Sequence, residues 1–374
     1  MTGERPRVFH LITRLLKGGA EAKTINTVKG LDGYEFVVGH GVDYDPEQIA
    51  TMQSVGIETV RFSGIRHYNP VTALPAVGEV ARYLQKQQFD IVHTHSTEAG
   101  IIGRLAAAIA DVPAVVHTVH GVPFAPDRNR ALELFVLYGE RLAATYSDQI
   151  ITNADAIATD YLSRGIGTPE QYTTVYSGIQ LDTFQDASPA SEINENGIQI
   201  ASVGRLADGK GFPDLIAAVD QLDRNDITVY IVGDGPMYEK LEEEIEHSGL
   251  SETVQLLGYR DDIPEILSAV DIFTLPSYRE GTPRVITEAM ATGLPVIATD
   301  IAGIPEQVAH GENGYLIQPG DIDGLTKHIQ QLCESSSLRQ QFGTASQKRA
   351  EKFSVQQMLQ DIDHIYTRLL AGQT

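Results

Sequence analysis

Along the chain, short runs of β-branched and aromatic residues alternate with longer stretches whose apolar positions recur every three or four residues. That alternation predicts strands followed by helices, the signature of parallel sheets wrapped by helices. In the first half the expected strands cover 7–13, 35–40, 90–95, 114–120, 149–153 and 172–178, with helices such as AEAKTINTVKGL and GEVARYLQKQQ between them. A polar stretch, QDASPASEINENG at 185–197, breaks the apolar periodicity and reads as a linker. A second series follows at 198–204, 227–233, 253–258, 271–276, 295–300 and 314–319. The expected class is therefore α/β, with two doubly wound parallel sheets whose ligands bind beyond the carboxyl ends of the strands. The tail at 353–372 puts Met358, Ile362, Ile365 and Leu369 on one face and predicts an amphipathic helix.

The length of 374 residues exceeds what one hydrophobic core organises and fits two domains. No apolar run approaches the roughly 18 residues of a membrane span, and the start MTGERPR lacks the apolar stretch of a signal peptide, so a cytoplasmic location is expected. The single cysteine, Cys333, has no internal disulfide partner, in keeping with a reducing compartment. A formal net charge of -22 argues against nucleic acid as a partner.

The segment REGTPRVITEAMATGLPVIATD (279–300) carries two acids on a run otherwise built for packing. Glycine and proline place a helix start near Thr282 or Pro283, where free N–H groups suit phosphate or sugar oxygens. Glu280 precedes that start, and Glu288 lies about 12 Å further along a helical axis. The two read either as acceptors for opposite ends of a polyhydroxyl ligand or as an electrostatic cap and a solvated acid. In VGRLADGKGF, Arg205 and Lys210 sit on a loop after a strand, before a helix expected from Phe212. Two cations there suit a diphosphate, through a bidentate guanidinium and a point charge, and equally make a solvated basic turn. Gly18 and Gly19 in LLKGGAE either admit a ligand close to the backbone or form a tight strand-to-helix turn.

His120 ends the apolar run AVVHTVH just before Gly121, at a carboxyl end from which it can reach a ligand, whereas His93 and His95 read as structural. In LGYRDDIPEIL, Tyr259 and Arg260 follow a strand, and Asp261 and Asp262 read as a cap and a first-turn acid. VGDGPM supplies Gly233 and Gly235 without a third glycine at the dinucleotide spacing, which disfavours a dehydrogenase. The acidic triplets at 43–45 and 321–323 read as turns or caps, and no zinc spacing, Walker loop or nucleophile elbow appears. No metal is expected.

Seven segments, in order, are similar to those of the retaining glycosyltransferases of family 4, and the resemblance covers nearly the whole chain. They are LLKGGAE, HTVHG, SGIQLDTF (177–184), VGRLADGKG, VGDGP, LGYRDDIPEIL and REGTPRVITEAMATGLPVIAT, the last holding an E-x7-E pattern. The resemblance implies the GT-B fold: two facing Rossmann-like domains, an acceptor-binding one over 1–184 and a nucleotide-sugar-binding one over 185–352. A last helix over 353–374 would pack back onto the first domain. It further implies that Arg205 and Lys210 hold the donor diphosphate and that Gly18 and Gly19 face the donor phosphates. His120 would lie beside the reacting sugar, and the backbone at Tyr259 and Arg260 would meet the base. Glu288 would accept bonds from the ribose, and Glu280, with the amides of Gly281 and Thr282, would address the transferred sugar. One motif departs from the family pattern: Ser177 and Gln180 stand where the junction usually has Asn and Asp.

The implied reaction moves a sugar with retention from a nucleotide-sugar, UDP by family frequency, to a glycan, lipid-linked or small-molecule acceptor. The nucleotide-sugar is a substrate and no separate cofactor is implied. The donor phosphate would take the acceptor's proton, so no side chain need act as a general base. Two other readings are an epimerase or hydrolase on the same architecture and a nucleotide-sugar-binding subunit without turnover. The stretch RNRALELFVLYGERLAA (128–144) reads either as a helix packed on its own domain or as a weak peripheral membrane contact.

Overall fold

The computed structural model describes residues 5–16, 18–66, 70–124, 130–193, 196–222 and 224–372. Two compact units are present, one running to Gly178 and resuming at Gln356, the other spanning Ile179–Val355. In the first unit the strands are β1 (Arg7–Ile12), β2 (Glu35–His40), β3 (Glu58–Arg61), β4 (Ile91–His95), β5 (Ala114–Val119), β6 (Gln149–Thr152) and β7 (Tyr172–Thr174). They form one sheet in the order β3-β2-β1-β4-β5-β6-β7, with parallel neighbours throughout. In the second unit they are β8 (Ile198–Val203), β9 (Ile227–Val232), β10 (Val254–Gly258), β11 (Ile272–Leu275), β12 (Val296–Thr299) and β13 (Gly314–Ile317). These form a parallel sheet in the order β10-β9-β8-β11-β12-β13.

The expected α/β architecture of two Rossmann-like parallel sheets is present, and every expected strand has its counterpart. The run expected at 172–178 shrinks to Tyr172–Thr174. One strand went unread: β3 is ETVR, an edge strand with Glu58 and Arg61 exposed, too short and too polar to stand out as an apolar run. The central strands are legible for the opposite reason. Every residue of β4, β5, β9 and β11 is buried, because helices cover both faces of a parallel sheet. Phe9, Leu11, Val37 and Val92 anchor the core of the first unit, and Ile200, Val229, Ile231 and Ile272 that of the second. Full burial of such side chains contributes roughly 1.5–3 kcal/mol each.

The helix Val355–Ala371 belongs to the first unit over most of its length. Met358, Ile362 and Ile365 are buried as the periodicity indicates, Leu369 is half-buried, and Tyr366 is fully buried beside them. Tyr34 donates a hydrogen bond to Asp363 (2.7 Å), fastening the helix to the start of β2. Among the described residues, no helix is long and apolar enough to cross a membrane.

The strand order reverses direction between β1 and β4 in the first unit and between β8 and β11 in the second. Loops leaving adjacent strands in opposite senses open a crevice at their carboxyl ends, which fixes where each unit presents ligand-binding groups.

Candidate active site

In the second unit, the loops after β8 and β11 carry the residues singled out from VGRLADGKG and REGTP. Arg205 is exposed, and its guanidinium has no hydrogen bond or ion pair among the described residues. Lys210 and Glu280 meet: Nζ donates to Oε1 at 2.6 Å, with side chains 27% and 11% exposed. The sequence implied separate duties for these two, and the structure joins them into one pair.

The backbone beneath is rigidly specified. Gly211 caps the helix Phe212–Asp220 at φ 72°, and a Cβ there would lie 1.9 Å from the carbonyl oxygen of Pro276. Glycine is therefore required, and it seats the Lys210 loop on the end of β11. Ser277 Oγ donates to the Lys210 carbonyl (3.4 Å), and Thr299 Oγ1 donates to the Ser277 carbonyl (2.6 Å). Gly233 has a packing purpose of the same kind: at φ 145°, its Cβ would strike the Gly204 carbonyl at 1.9 Å. The VGDGP glycine thus lets two loops approach.

The helix after Glu280 begins at Arg284 and runs to Thr292, with Pro283 at its cap, slightly later than the sequence indicated. Glu280 therefore belongs to the preceding turn, so the spacing to Glu288 is not eight helical steps. The buried Gln307 donates to the Pro283 carbonyl (3.0 Å) and to Thr287 Oγ1 (2.8 Å), holding this helix start in place. A Cβ on Gly281 would meet nothing within 4 Å, leaving open space before the turn, and Thr282 beside it is half-buried. Glu288 is not the solvated acid of the simpler reading: burial raises its pKa from the ordinary value, against the opposing pull of Arg284 at 3.9 Å.

At the end of β10, Tyr259 is 78% exposed. Arg260 is engaged by Asp262 and Glu192, which hold its guanidinium charged. Asp262 stands at the cap of the helix Ile263–Ser268 but spends its carboxylate on Arg260 and makes no capping bond.

In the first unit, Gly18 is the extended cap residue and Gly19 the first residue of the helix Gly19–Gly30. A Cβ on Gly18 would lie 2.6 Å from Glu21 Oε2, so the first-turn acid folds back over the glycine. A cavity of about 300 Å³ opens at the carboxyl ends of β1, β4 and β5; His120 lines it with Arg14, Glu98, His117 and Tyr161. A larger cavity, about 1170 Å³, includes Arg7, Glu35 and Asp90 at the amino ends of strands, the wrong end of such a sheet for ligand chemistry. Ser96, immediately after β4, is held at φ 65° and ψ 162°, a conformation glycine favours, and also lines the smaller cavity.

His120 is joined to other histidines in a way the sequence did not show. Its Nε2 is 3.1 Å from Nδ1 of His95, which in turn reaches Nδ1 of His10 through Nε2 at 2.8 Å. Burial pushes the pKa of His120 and of His10 down to about 3 and those of His93, His95 and His117 well below the ordinary range, so these imidazoles are neutral. Close by, burial drives the Lys23 ammonium down to about 7, and its Nζ donates to the Val175 carbonyl at 2.5 Å. His10 and Lys23 were not singled out from sequence, where each looks like an ordinary member of its element.

Two family descriptions match the chain in succession: Glycosyl transferase 4-like domain over residues 3–178 and Glycosyl transferases group 1 over residues 183–349. An Escherichia coli UDP-Gal:alpha-D-GlcNAc-diphosphoundecaprenol alpha-1,3-galactosyltransferase is 29% identical over 320 residues, covering 82% of this chain and 83% of that one. The Staphylococcus aureus capsular polysaccharide biosynthesis glycosyltransferase CapM is 26% identical over 389 residues, 97% of each chain. Among solved structures, Anabaena Alr3699/HepE in complex with UDP matches with a TM-score of 0.84 at 26% identity, covering 97% of this chain and 100% of that one. With the two Rossmann-like sheets already described, these matches place the chain among the GT-B glycosyltransferases, built from a 4-like domain followed by a group 1 domain.

Proposed function

We propose that this enzyme transfers a hexose, with retention of anomeric configuration, from a UDP-sugar to a hydroxyl of a growing glycan or lipid-linked acceptor. The observation that carries the reading is the Lys210–Glu280 pair with exposed Arg205 on the same unit, at the carboxyl ends of the two strands flanking the reversal of strand order. Arg205 and Lys210 neutralise the charge that gathers on the departing diphosphate, the term in which preorganised cations contribute most. Glu280 orients Lys210 and accepts bonds from hydroxyls of the transferred sugar, while the amides of Gly281 and Thr282 add donors. Glu288 accepts from the ribose, and the backbone at Tyr259 and Arg260 meets the uracil. From the first unit, Gly18, Gly19 and His120 address the donor phosphates and the reacting sugar. No metal enters the scheme, since two cationic side chains supply the positive charge. The UDP bound by Alr3699/HepE and the UDP-Gal in the name of the E. coli relative support the choice of nucleotide.

The acceptor assignment includes a membrane surface. On the helix Arg130–Ala144, Leu134, Phe135, Tyr138 and Leu142 are 52%, 49%, 62% and 51% exposed and recur at helical spacing. An apolar stripe of this kind suits shallow insertion beside a lipid-linked substrate. Arg128, the first residue of the stretch quoted above, lies outside the described residues. Vesicle flotation tests the contact: Leu134→Glu/Tyr138→Glu is expected to abolish association, and equal flotation of variant and parent would contradict it.

The transfer itself is tested by incubating the enzyme with UDP-glucose, UDP-galactose and UDP-N-acetylglucosamine in the presence of an undecaprenyl-diphosphate sugar. The proton spectrum of the product gives the anomeric configuration. An α-linked product from an α-linked donor supports the reading, and a β-linked product would exclude retention.

A further inference from the structure

The first unit links four histidines, the buried His10, His93 and His95 and the half-buried His120, together with a buried tyrosine from the last helix. Thr118 Oγ1 lies 2.7 Å from His93 Nε2; His93 Nδ1 lies 2.5 Å from the Tyr366 hydroxyl. Tyr366 reaches His10 Nε2 at 3.1 Å, His10 Nδ1 reaches His95 Nε2 at 2.8 Å, and His95 Nδ1 reaches His120 Nε2 at 3.1 Å. Both ring nitrogens of His93, His10 and His95 are each used once. The rings of His10 and His95 are stacked at 5.0 Å, those of His93 and His95 at 4.3 Å.

Proton accounting then restricts the chain. A neutral imidazole has one N–H donor and one acceptor nitrogen, and each link needs one proton. Tyr366 accepting from both neighbours would strand its own buried hydroxyl proton; with that proton donated into the chain, only two arrangements satisfy every link: all four rings carry the proton on Nε2, or all four carry it on Nδ1. In the first, Thr118 accepts from His93 and its own buried hydroxyl proton has no acceptor, since its link to His93 is the one hydrogen bond this hydroxyl makes among the described residues. In the second, Thr118 donates to His93 and no proton is stranded. A buried donor or acceptor left without a partner costs free energy, and only the second arrangement leaves none.

We infer that Thr118, His93, Tyr366, His10 and His95 form a hydrogen-bonded chain that holds His120 in its Nδ1–H tautomer, so that His120 meets its ligand as a neutral hydrogen-bond donor. This deepens the proposed reaction and rests on it for the identity of that ligand. A donor at the reacting sugar fits chemistry in which the leaving phosphate, and no side chain, takes the acceptor's proton. His10, His93 and His95 also lie close enough to suggest a metal site, with ligand atoms within 4.8 Å of one another. A metal would claim lone pairs and ring positions that the five hydrogen bonds already use, so the hydrogen-bonded chain is the reading the distances favour.

The test is long-range proton–nitrogen correlation spectroscopy of the full chain carrying ring-labelled histidine, near pH 7.5. Four rings are expected with protonated Nδ1 and bare Nε2, while His117, bonded at 2.9 Å to Thr94, stands outside the set as a control. Tyr366→Phe cuts the chain between His93 and His10, and Thr118→Val removes its terminal donor. Either should release His120 from the Nδ1–H form and leave His117 unchanged. Where Tyr366→Phe fails to fold, Thr118→Val decides the matter. In transfer assays each should lower kcat about tenfold, the worth of one hydrogen bond, at unchanged KM for the donor. Nε2–H on His120 in the parent, an unchanged His120 in the folded variants, or stoichiometric zinc whose removal shifts the three buried rings would overturn the inference. The spectra need no turnover, so absence of transferase activity would count against the proposed reaction and leave the tautomer result standing.

Discussion

Lys210 and Glu280 come from loops 70 residues apart in sequence, yet their charged atoms are 2.6 Å apart. A partly buried ion pair offsets much of its attraction by desolvation and contributes little to stability on its own, so its purpose is better sought in the positions it fixes. Lys210→Met is expected to lower kcat by about 10²–10³, the usual loss when one preorganised donor is removed from a developing charge. Glu280→Gln should also impair turnover while leaving UDP affinity within a few-fold of the parent, because Glu280 is assigned to the sugar. Steady-state kinetics beside nucleotide titration separate the two outcomes; equal loss of UDP affinity in both variants would contradict the division of labour. At this scale the sequence was informative where a charged residue adjoined a glycine in the loop after a strand, as with Arg205, Lys210 and Glu280. It was silent on Gln307, whose amide holds the Pro283 turn through a contact 24 residues away, and on His10 and Tyr366, which are 356 residues apart. Such contacts arise only when the chain folds, and neither local pattern nor residue type announces them. Burial of Glu288 was hidden for the same reason.

Strands and helices were the most legible level, because a parallel sheet covered on both faces writes itself as apolar runs. Misreadings fall where that logic lapses: at edge strand β3, whose half-exposed residues need no apolar run, and at the helix start, displaced to Arg284 by a turn that Gln307 stabilises. Two element-level predictions follow from backbone geometry. Gly211→Ala forces a Cβ to 1.9 Å from the Pro276 carbonyl at φ 72°. It is expected to cost about 2 kcal/mol or more in urea unfolding and to weaken nucleotide binding by displacing Lys210. Ser96→Gly goes the other way: relief of the φ 65° conformation should stabilise the fold by about 1 kcal/mol. A lower unfolding midpoint for Ser96→Gly would mean that the serine side chain earns more than its backbone costs.

At the scale of the whole molecule, titration of the buried histidines dominates the response to acid. His10, His93, His95 and His117 are at most 2% exposed, and burial holds all four below the ordinary pKa of 6.5. The unfolded chain therefore binds more protons below pH 6.5 than the native one. Their contribution is fully present above that value and declines as pH falls through it, by about 5–6 kcal/mol per pH unit once all four are protonated only in the unfolded state. Glu288, raised by burial, acts in the opposite sense as a single group. Thermal midpoints should thus decline gently from pH 8 to 7, where the buried Lys23 binds its proton more weakly in the native chain than in the unfolded one, and fall steeply between 6.5 and 5; a flat profile to pH 5 would contradict the burial of these rings. The architecture of two Rossmann-like sheets was readable from the repeated strand-and-helix rhythm, and the net charge of -22 was readable from composition alone.

The most direct test of the central claim is calorimetric titration of the folded enzyme with UDP, GDP and ADP, in dilute buffer and in molar KCl, beside the Arg205→Ala variant. Saturable binding of UDP in preference to the others, lost or weakened at least tenfold in Arg205→Ala, is the expected result. Failure of all three nucleotides to bind in either salt, or equal UDP affinity in Arg205→Ala, would contradict the donor site at the carboxyl ends of β8 and β11.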